Sequence, residues 1–152
     1  GEDIEFLARR ILICASEDVG MANPSALTAA IAAYQGIMAV GMPEAKILLS
    51  EAAIIVATSP KSNASYLAID KALKDVEEKR TGEVPMHLRN APVKGMSDLG
   101  YGIGYKYAHD YEGHIVDQQY LPDEMAGTVY YEPTGLGYEQ KIKEWLQKKR
   151  NH

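Results

Sequence analysis

Apolar positions in the first 80 residues recur at every third or fourth place, the period of helices with one face turned inward. Ile4, Leu7, Ala8, Ile11, Leu12 and Ala15 make one such stripe, closed by Gly20. Asn23 and Pro24 read as a cap followed by a first-turn proline. Leu27, Ala30, Ile31, Tyr34 and Met38 then form a second stripe, ended by Gly41. Pro43 and Glu44 open a third helix whose body, 47–57, is apolar nearly all round. Such a helix is buried on most sides, in the core or against another subunit. The β-branched residues at its end leave a buried strand as the alternative, but its length and alanines favour helix. Ser62 or Asn63 caps a fourth helix. It is predicted to turn Tyr66, Ile69, Leu73 and Val76 inward and to carry Asp70/Lys74 and Asp75/Lys79 as exposed pairs one turn apart.

From Thr81 the period is lost. Prolines at 85, 92, 122 and 133, with glycines at 82, 95, 100, 102, 104, 113, 127, 135 and 137, break any long element. This stretch, 81–137, is expected to be short helical turns and extended pieces laid over the helical core, with a small hairpin around 128–131. The chain closes with an amphipathic helix, 138–149, whose expected inner face is Tyr138, Ile142, Trp145 and Leu146. The predicted fold is therefore all-α and a single domain: a four-helix core over 1–80, an irregular wrap over 81–137 and a terminal helix over 138–150.

With 152 residues, 46% hydrophobic and 24% charged, the chain has the composition of one ordinary globular domain. A net charge of −5 gives no global sign of nucleic-acid binding. No apolar run approaches 18 residues, so no membrane span is expected. Gly1-Glu2-Asp3 has neither the basic nor the apolar region of a signal peptide. The missing initiator Met predicts a piece of a longer protein. One cysteine, Cys14, excludes an internal disulfide and fits a reducing cytosol. Ten Tyr stand against one Phe and one Trp, and eight of the ten lie between 101 and 138.

Candidate chemistry is sparse. There is no phosphate-cradling glycine loop ending in Lys-Ser/Thr. Gly100, Gly102 and Gly104 alternate without the dinucleotide-binding spacing, and read as a turn over which tyrosines pack. His109 and His114, with Asp110 and Glu112, match no common metal spacing, and one Cys rules out thiolate zinc sites. Cys14 reads as a small packed hydrophobe. Glu17 and Asp18, after Ser16, are candidates for acid/base work, but read better as anchors of the loop into the next helix. The dense polar cluster His87-Leu88-Arg89-Asn90 is either an anion or partner contact through Arg89 and Asn90, or a structural corner between two prolines. The tyrosine-rich stretch could stack bases, but it holds only Lys106 among six acidic residues in 109–133, and phosphate repulsion opposes this. The basic face Lys141, Lys143, Lys148, Lys149 and Arg150 is the one candidate DNA contact.

Taken in order, several segments carry a resemblance. Ala8-Arg-Arg leads into Ala15-Ser-Glu-Asp-Val-Gly20 and Ala22-Asn-Pro24, and Pro60-Lys61-Ser62-Asn63-Ala64 follows. Val84-Pro-Met-His87-Leu88-Arg89-Asn90-Ala-Pro92, Gly100-Tyr101-Gly102 and Tyr105-Lys-Tyr107-Ala-His109-Asp110 complete the set. Together they resemble the C-terminal region of the MgsA family of replication-associated recombination proteins (RarA), whose eukaryotic relatives include Werner helicase-interacting protein.

The resemblance implies an all-helical, collar-like oligomerisation domain of a clamp-loader type, DNA-dependent AAA+ ATPase, forming tetramers in bacterial members and acting at stalled replication forks. It implies that the ATPase and lid domains lie outside this chain. No catalytic, cofactor or metal residue carries over, and ATP and Mg²⁺ belong to the missing part. Expected partners are further copies of itself, DNA, and single-strand DNA-binding protein or other replisome proteins, with no membrane, in a cytoplasmic, nucleoid-associated setting. Ile47, Leu48, Leu49, Ile54, Ile55 and Val56 on the third helix are the expected interface. The alternatives are a binding module for single-stranded DNA or a replisome protein, and a small enzyme using Glu17, Asp18 and His87.

Overall fold

Asp3 starts the first helix by accepting the Phe6 amide on its side chain at 3.0 Å, and α1 runs Ile4–Cys14. Helical backbone continues through a π turn, Ala15–Val19, breaks at Gly20, and leads into a 3₁₀ turn, Gly20–Ala22. Asn23 then caps α2, Pro24–Val40, its side chain accepting the Ser25 amide at 3.2 Å. α3 spans Ala45–Thr58, α4 Ala64–Glu78 and α5 Glu139–Arg150. The computed structural model describes residues 1–93 and 95–150, with the backbone alone at Arg150.

The fold is all-α, and the four expected helices and the terminal one are present. The body of the third is helix rather than strand. No strand occurs among the described residues, so the hairpin expected around 128–131 does not form. Instead Tyr131 and Thr134 spend their polar groups on Glu139, within the first turn of α5. Contacts divide the chain into two units, one from Gly1–Lys71 with the chain from Tyr130 onward, the other Ala72–Val129, the boundary falling inside α4.

In the first unit α1, α2 and α3 pack on one another around two clusters. Ala15, Val19, Ala26, Ala30 and Val56 form one, and Ala8, Ile37 and Ala45 the other. Eight of the twelve buried apolar residues described in the whole chain are alanines. Close helix approach through small residues leaves the larger aliphatic side chains at the margins, and two expectations are corrected accordingly. On α2 the buried positions are Ala26, Ala30 and Ile37, whereas Leu27, Ile31 and Met38 of the predicted inner stripe are exposed. On α4, Tyr66, Ile69, Leu73 and Val76 are all exposed, while Ala64 and Asp75 are buried. Asp75 does pair with Lys79 at 2.7 Å, but as a buried carboxylate rather than a solvated one.

The second unit continues from α4 as short 3₁₀ turns and extended chain, as its glycines and prolines predict: Met86–Leu88, Ser97–Leu99, Ala108–Asp110, Glu112–His114 and Asp123–Met125. Side chains stand in for a ladder there. Gln118 takes both backbone polar groups of Lys106, and the Lys106 ammonium donates to the Asp117 carbonyl at 2.9 Å. In so irregular a stretch, side-chain amides and a lysine take up backbone groups that no ladder pairs.

Candidate functional site

Three of the sequence motifs meet in one junction in the first unit. The Ser62 amide donates to the Asp18 carbonyl at 2.8 Å, joining the end of α1 to the start of α4. Asn23 donates to the Ser59 hydroxyl at 2.9 Å, joining the start of α2 to the end of α3. The Tyr138 amide donates to the Ala22 carbonyl at 2.8 Å and brings in the approach to α5. Lys61 places its ammonium on the carbonyls ending α3, including Val56 at 2.8 Å, where a cation complements the helix C-terminus. Two glycines are required by contact as well as conformation. A Cβ on Gly20, at φ +51°, would lie 2.8 Å from the Ser62 carbonyl oxygen, and one on Gly137, at φ +57°, would run into the Ala22 carbonyl oxygen and the Pro60 ring.

Glu139 closes the junction and is fully buried. Its carboxylate accepts the Tyr131 hydroxyl at 2.8 Å, the Thr134 hydroxyl at 2.6 Å and the Thr134 amide at 3.1 Å. Burial by itself raises the carboxyl pKa. Hydrogen bonds from Ser62, Thr134 and Tyr131 outweigh it and hold the group below its ordinary value. Tyr131, desolvated and donating to that carboxylate, is pushed well up. Ser16 bonds back to the Leu12 and Ile13 carbonyls, and Glu17 and Asp18 lie at the surface. Cys14 donates to the Asp18 carboxylate at 3.2 Å, its thiol pKa raised by burial and by that bond, opposite to an activated nucleophile.

The third helix distributes its expected interface residues over several faces. Val56 is buried in the unit's own core, Ile55 packs against the first cluster, and Leu48 and Leu49 pack against the second. Only Ile47 and Ile54 of the six project freely, 62% and 59% exposed. Beside them lie two hollows, one of about 520 Å³ along α3 and one of about 210 Å³ between α2 and α3, both bordered by Glu51 and Ile55. Leu27, Ile31 and Met38 on α2 are exposed as well, on a face of that helix away from the Ala29, Ala32 and Ala33 line that borders the smaller hollow.

In the second unit, Arg89 is committed to its own neighbours. Its guanidinium donates to the Val84 carbonyl and to Glu83, each at 2.6 Å, and lies 5.5 Å over the Tyr101 ring. The Glu83 bond and the Tyr101 contact raise its pKa further. His87 pairs with the Gln119 carbonyl at 2.8 Å, Gly102 donates to Met86, Leu88 is half-buried and Asn90 is exposed. Gly100 follows a 3₁₀ turn in the left-handed region. His109 tilts against Tyr107 at 5.1 Å and His114 at 4.8 Å, and no group of three or more metal-binding side chains occurs among the described residues. Glu17 and Asp18 belong to the junction of the first unit and His87 to the second unit.

On α5, Ile142 and Leu146 are half-buried, while Tyr138 and Trp145 of the expected inner face are exposed, which corrects that face. The buried side of the helix runs through Glu139, Ile142 and Leu146, a narrower strip than the apolar pattern suggested. Lys141, Lys143, Lys148 and Lys149 are exposed, and the Arg150 side chain lies outside the described residues.

The first unit is all-α, its helices packed largely through alanine with several large aliphatic side chains outward. Comparison with known proteins gives its family. The family model described as "MgsA AAA+ ATPase C terminal" matches residues 1–150, and the chain belongs to that family. An AAA domain-containing protein of Mycobacterium tuberculosis is 50% identical over 142 residues, 93% of this chain and 31% of that protein. Replication-associated recombination protein A of Bacillus subtilis is 46% identical over 147 residues, 96% of this chain and 35% of that protein. ATPase WRNIP1 of Dictyostelium discoideum is 40% identical over 128 residues, 84% of this chain and 15% of that protein. The chain thus spans about a third of the length of the bacterial relatives. Among the described residues, no helix is long and apolar enough to cross a membrane.

Proposed function

We propose that this segment joins copies of an AAA+ ATPase into a closed homo-oligomer, a tetramer by family expectation, that works on DNA during replication and recombination. The observation that carries the reading is the outer face of α3, where Ile47 and Ile54 stand exposed beside a hollow along the helix, with Leu27, Ile31 and Met38 exposed on a separate face of α2, over a core made largely of alanine. Leaving such a patch in water costs about 25 cal/mol per Å² of apolar surface, and large contiguous patches are uncommon on monomers. Two-fold pairing of one surface, repeated on a second, closes naturally at four copies. In this reading the segment has no chemistry of its own. ATP, Mg²⁺ and the main DNA contacts belong to the part of the protein beyond this chain, and single-strand DNA-binding protein or another replisome component is a fitting partner for the whole.

Light scattering after size exclusion tests it. A mass that is a fixed multiple of 16.7 kDa is expected at tens of micromolar protein, and a steady 16.7 kDa overturns the reading.

A further inference from the structure

Gln118 takes up both backbone polar groups of Lys106 and so closes a surface loop, 106–118, in the second unit. Three turns in succession shape it. The Asp110 amide donates to the Tyr107 carbonyl at 3.0 Å, the Tyr111 amide to that of Ala108 at 3.1 Å and the His114 amide to that of Tyr111 at 3.0 Å. Ala108, Ile115 and Val116 are half-buried, whereas Tyr107, His109, Tyr111 and His114 are exposed. The rings of Tyr107, His109 and His114 follow one another at 5.1 and 4.8 Å. His114 holds its end of that row from the left-handed region, φ +55°, a conformation that residues with a side chain adopt at a cost. Compact loops with their ends tied together are frequently functional.

The charge of the loop has one sign. Asp110, Glu112 and Asp117 stand among its rings in sequence, and there is no Lys or Arg between 107 and 117. Asp110 and Glu112 are exposed, and among the described residues no cation pairs with either. The same unit already shows what a ring and a carboxylate hold together. Arg89 is fixed by Glu83 at 2.6 Å and lies 5.5 Å over the Tyr101 ring. Tyrosine faces attract cations through the ring quadrupole, and carboxylates add charge-assisted hydrogen bonds. Tyrosine also supplies rigid contact area at little entropic cost.

We propose that loop 106–118 is a docking site for an arginine-bearing segment of another protein, with Tyr107 and Tyr111 as stacking faces and Asp110 and Glu112 as counter-charges. Arginine fits better than lysine, because its planar, weakly hydrated head lies on a ring while its donors reach a carboxylate. Phosphate backbones are repelled by the loop's charge. A second copy of this chain is the poorer occupant: its basic stretch on α5 is Lys141, Lys143, Lys148 and Lys149 with a single arginine, Arg150.

Anisotropy of fluorescein-labelled nona-arginine, titrated with the 152-residue chain, tests this against nona-lysine. The arginine peptide should bind about three-fold or more tightly than the lysine peptide. Tyr107→Ala with Tyr111→Ala should weaken it between about five-fold and thirty-fold, and the two phenylalanine substitutions should retain most of the affinity. Asp110→Asn with Glu112→Gln should weaken it about three-fold or more at low salt. Glu77→Gln with Glu78→Gln, an equally exposed acidic pair on α4, should change it by less than about two-fold.

Equal binding of the two peptides, or affinity unchanged by the alanine pair, leaves only diffuse charge attraction and overturns the proposal. So does no change in anisotropy up to about 0.5 mM protein. A lower mass for the alanine pair than for the native chain, by light scattering, places a second copy on the loop and also overturns it. Should the alanine pair fail to fold by circular dichroism, the Asp110→Asn, Glu112→Gln variant decides, and unchanged affinity there is fatal. Peptide binding and the mass of the native chain are read separately, so failure here leaves the self-association reading standing, and the reverse.

Discussion

The buried Glu139 carboxylate receives the Tyr131 hydroxyl at 2.8 Å from across a bend of eight residues, and this pair fixes where α5 begins. A carboxylate in the first turn also faces the positive end of the helix dipole. Glu139→Gln keeps the shape but turns an all-acceptor group into one with two donors, facing Thr134 and Tyr131, which already donate. The expected loss is about 2 kcal/mol, the scale of a charge-assisted hydrogen bond replaced by a mismatched one. For a chain of this size that is roughly 4–8 °C in melting temperature by calorimetry. An unchanged melting temperature would mean that the bend is held by something else.

The same carboxylate sets a pH dependence with a definite sign. Its folded pKa is lowered, so its contribution is fully present above the unfolded value and is lost as pH falls through the folded one. Chemical denaturation at neutral pH and at successively lower pH, below the ordinary carboxylate range, should show falling stability in the native chain. In Glu139→Gln that part of the slope should be missing.

Gly137→Ala separates conformation from contact at the junction. The residue is in the left-handed region, and a Cβ would meet the Ala22 carbonyl oxygen and the Pro60 ring. Backbone strain of this kind costs about 1–3 kcal/mol. Gly135→Ala, also at positive φ but facing only the ends of Gln140 and Lys143, should cost less. Equal melting shifts in the two variants would show that conformation alone matters at Gly137.

The helices were legible because capping residues and apolar period coincide: Asn23-Pro24 at α2 and Ser62 before α4 behave as the pattern predicts. Which face is inward was not legible on α2, α4 and α5. Period identifies an apolar face, but this protein buries its small residues, and alanine carries little weight in such a pattern. Tyr66, Ile69, Leu73 and Val76 looked like core because they are large. The motif at 16–20 had no visible chemistry because its task is a backbone one: Asp18 contributes a carbonyl oxygen and Gly20 the absence of a side chain. Glu139 was missed because a charged residue in a lysine-rich helix reads as solvated. The local signal was weak: Thr134 stands five residues before the first-turn carboxylate, a spacing that matches no capping box.

Arg89 offers a check on whether the 87–92 corner is structural. Its planar fork donates to Val84 and Glu83 while stacking over Tyr101, and a lysine can reproduce only part of that geometry. Arg89→Lys should therefore loosen the second unit, seen as faster amide exchange over 83–102. If exchange is unchanged and only partner binding suffers, the corner is a contact site instead.

The self-association reading makes its sharpest claim at Ile54. That side chain is 59% exposed on α3 and borders the larger hollow, yet it is absent from both core clusters. Val56, two residues on, is buried in the core. Ile54→Glu places a charge where only a partner copy would desolvate it, so the oligomer should dissociate while the monomer keeps its helicity and nearly its melting temperature. Val56→Glu should do the opposite and unfold the unit outright, because a buried unpaired carboxylate costs several kcal/mol. An obligate interface of about 2,000 Å² or more would not tolerate the first change. Light scattering and circular dichroism on the two variants separate the cases. If Ile54→Glu leaves the mass of the native chain unchanged, the outer face of α3 is not where the copies meet.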